Sequence, residues 1–585
     1  MEEIRVQGCP KIRRHEGGII TMPFILANEV CDRLAVTGFF SNMNNYLTTQ
    51  LHLPSTKAAN IYTNFSGMGS LTPLIGAFIA DSYAGRFWTI VVASFFYVVG
   101  MTILTLSATL PQFRPAPCRL KDPTVPCQEA NGYQLAILYV GLTLGAIGAG
   151  GIRPCVIAFG ADQFGKSGPN SSAKKLKYFN CYYFVMGASV LVAVTLLVYI
   201  QDNVGWSVGL GIPTVLMLIA TIILLCGYPL YRKQEPSGSP FTRLLQVVVA
   251  AFRKRKLAAV LDADLLYGND DLDASISFGG KLHHTKHFKF LDKAAIVADD
   301  DDPKSPNLWA LSTVHRVEEL KSILRMFPIW TSGIILFTAY AQQSTFSIQQ
   351  ANTMDRHIFT PKLLIPSGSI TVFTITSALL TIVLYNQILV PVARRFTGLD
   401  HGISFLQRMG IGLAISTLAT LLAGFVEVHR KHAVFSGSHS NPPNPTNPPI
   451  SVIWLVPQFG LHGIAEAFMA IGQLEFFYDQ APESMQSTAS ALYWASMAAG
   501  NYLSTLIVTM IHKYSGGGKG GGSNWLPDDD LNKGKLENFY WLLTVMQAVN
   551  LVYYIICAKS YTYKPVEVRT ERVDVVVDVE DGNPL

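Results

Sequence analysis

Three ionisable residues stand in the middle of an apolar run near the amino end: Glu29, Asp32 and Arg33, within Gly18 to Phe40, GIITMPFILANEVCDRLAVTGFF. Spacings of three and four place them on one face of a helix, where the guanidinium can partly neutralise both carboxylates. The run supplies the roughly 20 residues that a bilayer span needs, and a charge near its centre costs about 2.5–3.5 kcal/mol on insertion scales. Charges kept at that depth imply a polar cavity in which they work on ions or protons. A shallow amphipathic helix with its charges at the interface is the alternative. A second polar pair sits in another apolar run, where His462 precedes Glu466 by one helical turn on the same face. His462 there reads as a proton relay or an anion-contacting cation, or more plainly as a neutral ring bonded to a backbone carbonyl.

The elements that must position these groups follow from the composition. Of 585 residues, 49% are hydrophobic and only 15% charged, against a soluble norm of about 25% charged; mean hydropathy is +0.29. This is the profile of a multi-pass membrane protein. After the first run, apolar windows of bilayer length recur at 58–80, 87–110, 133–159, 178–200, 207–230, 322–347, 368–392, 404–427, 450–476, 487–511 and 536–558. The spacing predicts an all-α membrane protein of twelve transmembrane helices in two six-helix bundles, 18–230 and 322–560, with a polar insert at 231–321 and tails at 1–17 and 561–585. Repeated bundles of this kind are a common plan for transporters, with the substrate site at their interface. Met1 to Gly17 is polar and the first span is long and charged, so no cleavable signal peptide is expected.

Basic residues set the expected orientation. Arg5, Lys11, Arg13 and Arg14 before the first span, Lys166, Lys174, Lys175 and Lys177 after the fourth, and Arg394 and Arg395 after the eighth mark cytosolic segments. Both chain ends then lie inside. The last outer loop, with Lys513, Lys519, Lys533 and Lys535, fits least well. Asn170-Ser171-Ser172 has the form of a glycosylation acceptor but falls on the cytosolic side, so it is expected to be unmodified. Cys118 and Cys127 share an outer loop in which a disulfide is one of two open outcomes. In the insert, Ser239-Pro240 starts a helix whose Phe241, Leu244, Leu245, Val248 and Phe252 precede the basic run 253–256. It reads either as a helix on the anionic inner leaflet or as a solvated helix between domains. An acidic run at 299–302 reads as part of a flexible stretch, and the low-complexity tracts at 441–449 and 515–523, in expected outer loops, look like linkers. The net charge of +5 is too small for its length to suggest nucleic acid.

Between the second and third spans lies Gly76-Ala77-Phe78-Ile79-Ala80-Asp81-Ser82-Tyr83-Ala84-Gly85-Arg86, in which Asp81 and Arg86 can relay charge between the bundles at the cytosolic face. This GxxxDxxxGR resembles the signature loop of the major facilitator superfamily. Arg86-Phe87-Trp88-Thr89 also has the RxxT form of a kinase site. With Glu29-x-x-Asp32-Arg33 and the hexad Phe159-Gly160-Ala161-Asp162-Gln163-Phe164, the chain resembles the proton-coupled oligopeptide transporters. It is most similar to their plant branch, the nitrate/peptide transporter family, and within it to the third subfamily. The resemblance spans Gly18 to about Pro565.

That resemblance implies roles for particular residues. Glu29, Asp32 and Arg33 match a motif tied to proton coupling, with Asp32 one methylene shorter than the usual acid. Arg153 falls at a basic position of the fourth span and Glu466 at the acid of the tenth. In such transporters the two are expected to pair across the bundle interface when the cavity closes. A buried Arg and Glu are each costly alone, so alternating partners would make a two-state switch; a static bridge is the alternative. Tyr340 stands where some relatives carry a nitrate-binding histidine, and a phenol cannot become a cation at neutral pH. Val36 and Thr37 stand where peptide transporters usually carry tyrosines. Arg153, Tyr340, His462 and Glu466 are the expected substrate contacts, with Tyr340, Phe346 and Trp494 beside the cavity.

The expectation is a proton-coupled symporter of a small anion, either nitrate or nitrite or an organic carboxylate such as a gibberellin. Its partners would be that anion, protons and the lipid bilayer, without nucleic acid, cofactor or metal. A di- or tripeptide symporter and a substrate sensor with little flux are the alternatives. No GxxxxGK[ST], HExxH or GxSxG motif occurs, so neither a nucleotide-driven pump nor an enzyme is expected. The plasma membrane is the expected site, with the vacuolar membrane as the alternative.

Overall fold

A computed structural model describes residues 17–116, 128–164, 182, 185–232, 240–257, 265–273, 282, 284–298, 301–303, 306–357, 364–398, 402–437, 450–481, 486–516, 524–527 and 531–563. Cys118, Cys127, Asn170-Ser171-Ser172 and the tract 441–449 lie outside them, as do 299–300, 517–523 and 564–585. The described residues are almost wholly helical, with isolated bridges such as Asp355 with Ser451 and His357 with Leu364.

The first six long helices are α1 (Met22–Thr49), α2 (Ser55–Ile79), α3 (Arg86–Thr109), α4 (Gly132–Asp162), α5 (Val185–Asn203) and α6 (Trp206–Cys226). The helix α7 (Pro240–Arg253) follows, then α8 (Val314–Gln343) and the short α9 (Phe346–Asn352). The last five are α10 (Ser367–Thr397), α11 (Phe405–Gly437), α12 (Val456–Gln480), α13 (Gln486–Gly516) and α14 (Leu536–Ser560). Among the described residues, nine helical segments are long and apolar enough to cross a membrane. The helices α1, α2 and α13 are as long but more polar, and many of their polar residues, among them Glu29, Asp32, Asn42, Ser70, Asn501 and Ser504, are buried inside the bundle. With them the count is the twelve that the sequence predicts.

Two departures from the expected spans matter. The first helix runs on to Thr49, so Asn42, Asn44 and Asn45 are helical and buried. The seventh span starts inside the expected insert at Val314, then breaks at 344–345 and resumes as α9. Close helix contacts depend on small residues: a Cβ on Gly76 of α2 would stand 2.3 Å from the Gly150 oxygen of α4. Wide π turns occur at the end of α2, Ala80–Ala84, and within α5, Ala193–Leu197, and α10, Tyr385–Leu389.

The chain divides into two compact units, one of Met1–Ser239, Pro328–Phe476 and Ser490–Ser560, the other of Pro240–Phe327, Phe477–Ala489 and Tyr561–Leu585. In the second, α7 buries Val247, Ala250 and Ala251 against Leu291, Ala294, Ala295, Val317 and Leu320. Phe241, Leu245, Val248 and Phe252 of the expected apolar stripe are exposed on its other side. Buried charges tie this unit together. Lys321 Nζ lies 2.6 Å from Asp292 Oδ1 and 2.7 Å from Glu318 Oε1 and donates to the Thr285 oxygen, while Lys254 Nζ lies 2.5 Å from Asp301 Oδ2.

Candidate substrate cavity and charge cluster

Within the first unit the spans enclose a cavity of about 500 Å³. Its wall is mostly apolar, with Phe40, Tyr62, Phe65, Phe337, Ile375 and Trp494 among the larger side chains. Charge enters at three places, Arg33 from α1, Arg153 from α4 and Glu466 from α12.

The α1 trio folds as the spacing predicts. Arg33 Nε donates to Glu29 Oε1 at 2.8 Å, and the Tyr182 hydroxyl donates to the same oxygen at 2.8 Å. Asp32, fully buried, is met by Arg153, whose Nε lies 3.6 Å from Asp32 Oδ2. That separation makes an ion pair but exceeds hydrogen-bond range, and neither oxygen of Asp32 has a hydrogen-bond partner. Two charges removed from water are stabilised best when close geometry and extra hydrogen bonds satisfy them. This pair has the proximity without the bonds, the state expected of partners that separate readily.

Glu466 makes neither an ion pair nor a hydrogen bond among the described residues, although Tyr340 lies close enough to feel its charge. Arg153 is thus seated on Asp32 in this conformation, with Glu466 facing the same cavity as a second carboxylate. His462 is buried one turn before Glu466 and is not among the residues lining the cavity. Phe346, expected beside the cavity, instead packs against Phe539 at a ring separation of 5.5 Å, because the break before α9 turns it toward α14. Val36, Thr37, Tyr340 and Trp494 all line the cavity.

Beyond the end of α2, Arg86 Nη1 lies 2.5 Å from Asp162 Oδ2, and the side chain of Asp81 is outside the described residues. The hexad 159–164 therefore supplies an acid for Arg86, a partner that the loop pattern alone did not indicate. Its Gln163 clamps three chain segments. The side chain donates to the Phe159 and Arg232 oxygens and accepts from Arg232 N, while its own backbone oxygen accepts from Gly18 N. The second half carries a matching bridge, Arg408 Nη1 to Glu475 Oε2 at 2.9 Å, with the guanidinium 3.9 Å from the centre of the Tyr385 ring. Thr89 of the RxxT tetrad is buried, its hydroxyl donating to the Gly85 oxygen.

Tyr182 and the Asn28–Ser94 hydrogen bond also support the trio. Their approach depends on contacts between distant helices, and no local spacing signals it.

A helical bundle with internal repeats and a charged central cavity defines a multi-pass membrane transporter. The family model described as PTR2, the POT family, matches residues 87–526. The chain is 62% identical over 576 residues to Protein NRT1/PTR FAMILY 3.1 of Arabidopsis thaliana, covering 98% of this chain and 95% of that protein. It is 44% identical over 559 residues to Protein NRT1/PTR FAMILY 8.3 of the same plant, covering 95% and 94%. The chain belongs to the POT family and is a transporter, not an enzyme. Among solved structures its fold is similar to an auto-inhibited POT family peptide transporter, with a TM-score of 0.67 at 21% identity over 94% of this chain and 99% of that one. The POT family transporter PepTSo gives the same TM-score at 20% identity, over 93% and 98%.

Proposed function

We propose that this transporter is a proton-coupled symporter of small organic anions working by alternating access. The observation that carries the reading is the position of Arg153, 3.6 Å from Asp32 in a cavity that Glu466 also faces. Protonating Asp32 or Glu29 weakens the hold on Arg153 or Arg33 and frees positive potential for an anion. With the anion gone and the cavity closing, Glu466 becomes the natural partner for Arg153. Asp81 and Arg86 belong to the cytosolic closure, with Asp162 as the acid that Arg86 contacts. Tyr340 and His462 are retained as substrate-side residues, Tyr340 directly from the wall and His462 from behind Glu466.

The apolar wall favours a carboxylate with a hydrophobic body, such as a gibberellin, over nitrate or nitrite. An inorganic anion would use the arginines and leave Phe40, Phe337 and Trp494 without a role. Val36 and Thr37 weigh against a peptide by the same logic, since neither offers a phenol to a backbone. The reading places the protein in the plasma membrane, where an outward-to-inward proton gradient drives uptake. The test is uptake in a heterologous cell with and without an imposed pH gradient, comparing a gibberellin, nitrate, nitrite and a dipeptide. A gibberellin signal that requires both the gradient and Arg153 is the expected result. Normal transport of the same anion by Arg153→Ala would defeat the reading.

A further inference from the structure

We propose that Gly69, Gly145 and Gly187 are specificity-determining residues that keep a recess in the cavity wall for the bulky apolar body of the substrate, whose carboxylate is held at Arg153. The inference rests on the organic-anion reading above and adds the residues that set the size of the cargo. It does not rest on proton coupling.

All three glycines line the cavity, one each from α2, α4 and α5. Among the described residues, a Cβ built on any of them meets nothing within 4 Å, and none has the positive φ that favours glycine. Glycine is the poorest helix former after proline, so three within helices need a reason. Close packing supplies one for their neighbours on α4. A Cβ on Gly148 would stand 2.5 Å from Tyr97 Cβ, one on Gly150 2.5 Å from Thr72 Cβ, and one on Gly151 2.5 Å from Ala93 Cβ. None of these three lines the cavity. At Gly69, Gly145 and Gly187 the place of the side chain is taken by the cavity itself.

The recess is placed for an anion. Gly145, Ala149 and Arg153 stand on successive turns of one face of α4 and all line the cavity, a row of about 12 Å at 1.5 Å per residue. Arg153 Nε, at the end of that row, is buried without a hydrogen bond. Gly69 and Gly187 open the wall further from α2 and α5. A rigid polycyclic carboxylate fits this arrangement: the guanidinium takes the charge, and the fused rings lie along the small residues, where leaving water stabilises them. A small anion needs Arg153 and leaves the recess to water.

Binding to the purified full chain, measured by calorimetry, tests this with a gibberellin as the bulky probe and benzoate as the small one. Gly145→Leu and Gly187→Leu should each weaken gibberellin binding at least about tenfold and leave benzoate binding within about twofold. Equal loss of both probes, or no loss of the gibberellin, would overturn the recess, as would a parent chain that binds benzoate but no gibberellin. Alanine variants keep the test open if leucine prevents folding. Gly69→Ala, Gly145→Ala and Gly187→Ala each add one methyl group to open space, so each should melt at or above the parent and bind the gibberellin about two- to fivefold more weakly. Melting below the parent in all three would show that packing holds these glycines and would overturn their assignment. No pH gradient enters the assay. A parent that binds neither probe refutes the organic-anion reading and the recess with it, whereas every other adverse result refutes the recess alone.

Discussion

Arg153 and Asp32, distant in sequence, face each other across the first bundle with Nε 3.6 Å from Oδ2 and no hydrogen bond to close the gap. Removing the arginine leaves a fully buried carboxylate with only the neighbouring Arg33 to offset it, at a cost of up to about 3–5 kcal/mol. Thermal unfolding of the purified full chain should show Arg153→Ala strongly destabilised and Arg153→Ala/Asp32→Asn less so than the sum of the single changes. Additive effects would mean that the pair has no energetic coupling.

The same gap gives Asp32→Glu a definite sign. One extra methylene adds roughly one carbon–carbon bond, about 1.5 Å, of reach, enough to bring the carboxylate into hydrogen-bond range of Arg153. A tighter pair separates less readily. Uptake at saturating substrate should fall several-fold while the protein stays as stable as the parent or becomes more so; unchanged turnover would argue that the Asp32–Arg153 distance does not limit the cycle.

Gln163 makes its hydrogen bonds where the starts of α1 and of the insert meet the end of α4. Gln163→Ala removes three hydrogen bonds, a buried one to the Phe159 oxygen and two half-buried ones to the Arg232 backbone, with an expected loss of about 1 kcal/mol. Gln163→Glu keeps the acceptor for Arg232 N and loses the donors, so it should fall between parent and alanine in a melting experiment.

Gly76 has no room for a side chain, since the atom nearest an added Cβ is the Gly150 carbonyl oxygen of the facing backbone. Gly76→Ala should destabilise by about 1–3 kcal/mol through forced separation of α2 and α4. Gly69→Ala on the same helix meets nothing within 4 Å. It should be neutral or stabilising by up to about 1 kcal/mol from helix propensity. Equal melting shifts for the two would refute the packing account.

In the second unit, partial burial pushes the Asp301 carboxyl up, but the Lys254 ammonium and the Ala298 N–H outweigh it and hold the group below its ordinary value. A depressed folded-state value contributes stability that is complete above the unfolded value of about 3.9 and disappears as pH falls through the lower folded one. Asp301→Asn should therefore melt below the parent at pH 7, and the difference should close as pH drops below about 4. A difference that persists in acid would trace the effect to shape and not to charge.

The helical bundle was legible because lipid imposes a simple rule: apolar runs of about 20 residues, closed by their own backbone hydrogen bonds, recur wherever the chain crosses. The trio on α1 was legible for a similar reason, since residues at i, i+3 and i+4 share a face whatever surrounds them. The break before α9 was not, because Ser344 and Thr345 carry no strong helix-ending signal. It is set by what the following residues bond to. That break also moved Phe346 away from the cavity where sequence reasoning put it. The hexad 159–164 stood out as a family signature without disclosing that Asp162 and Gln163 tie Arg86, Gly18 and Arg232 together.

By itself, then, the sequence determined the membrane class, the number and approximate limits of the spans and the charged trio that shares one face of α1. All of these depend on composition and on periodicities of a few residues, which one helix expresses alone. Only the tertiary structure decided which charge faces which: Arg153 on Asp32 in preference to Glu466, and Arg86 on Asp162. Side chains that meet across helices far apart in sequence share no local pattern, and their pairing is fixed by the packing that brings those helices to one cavity.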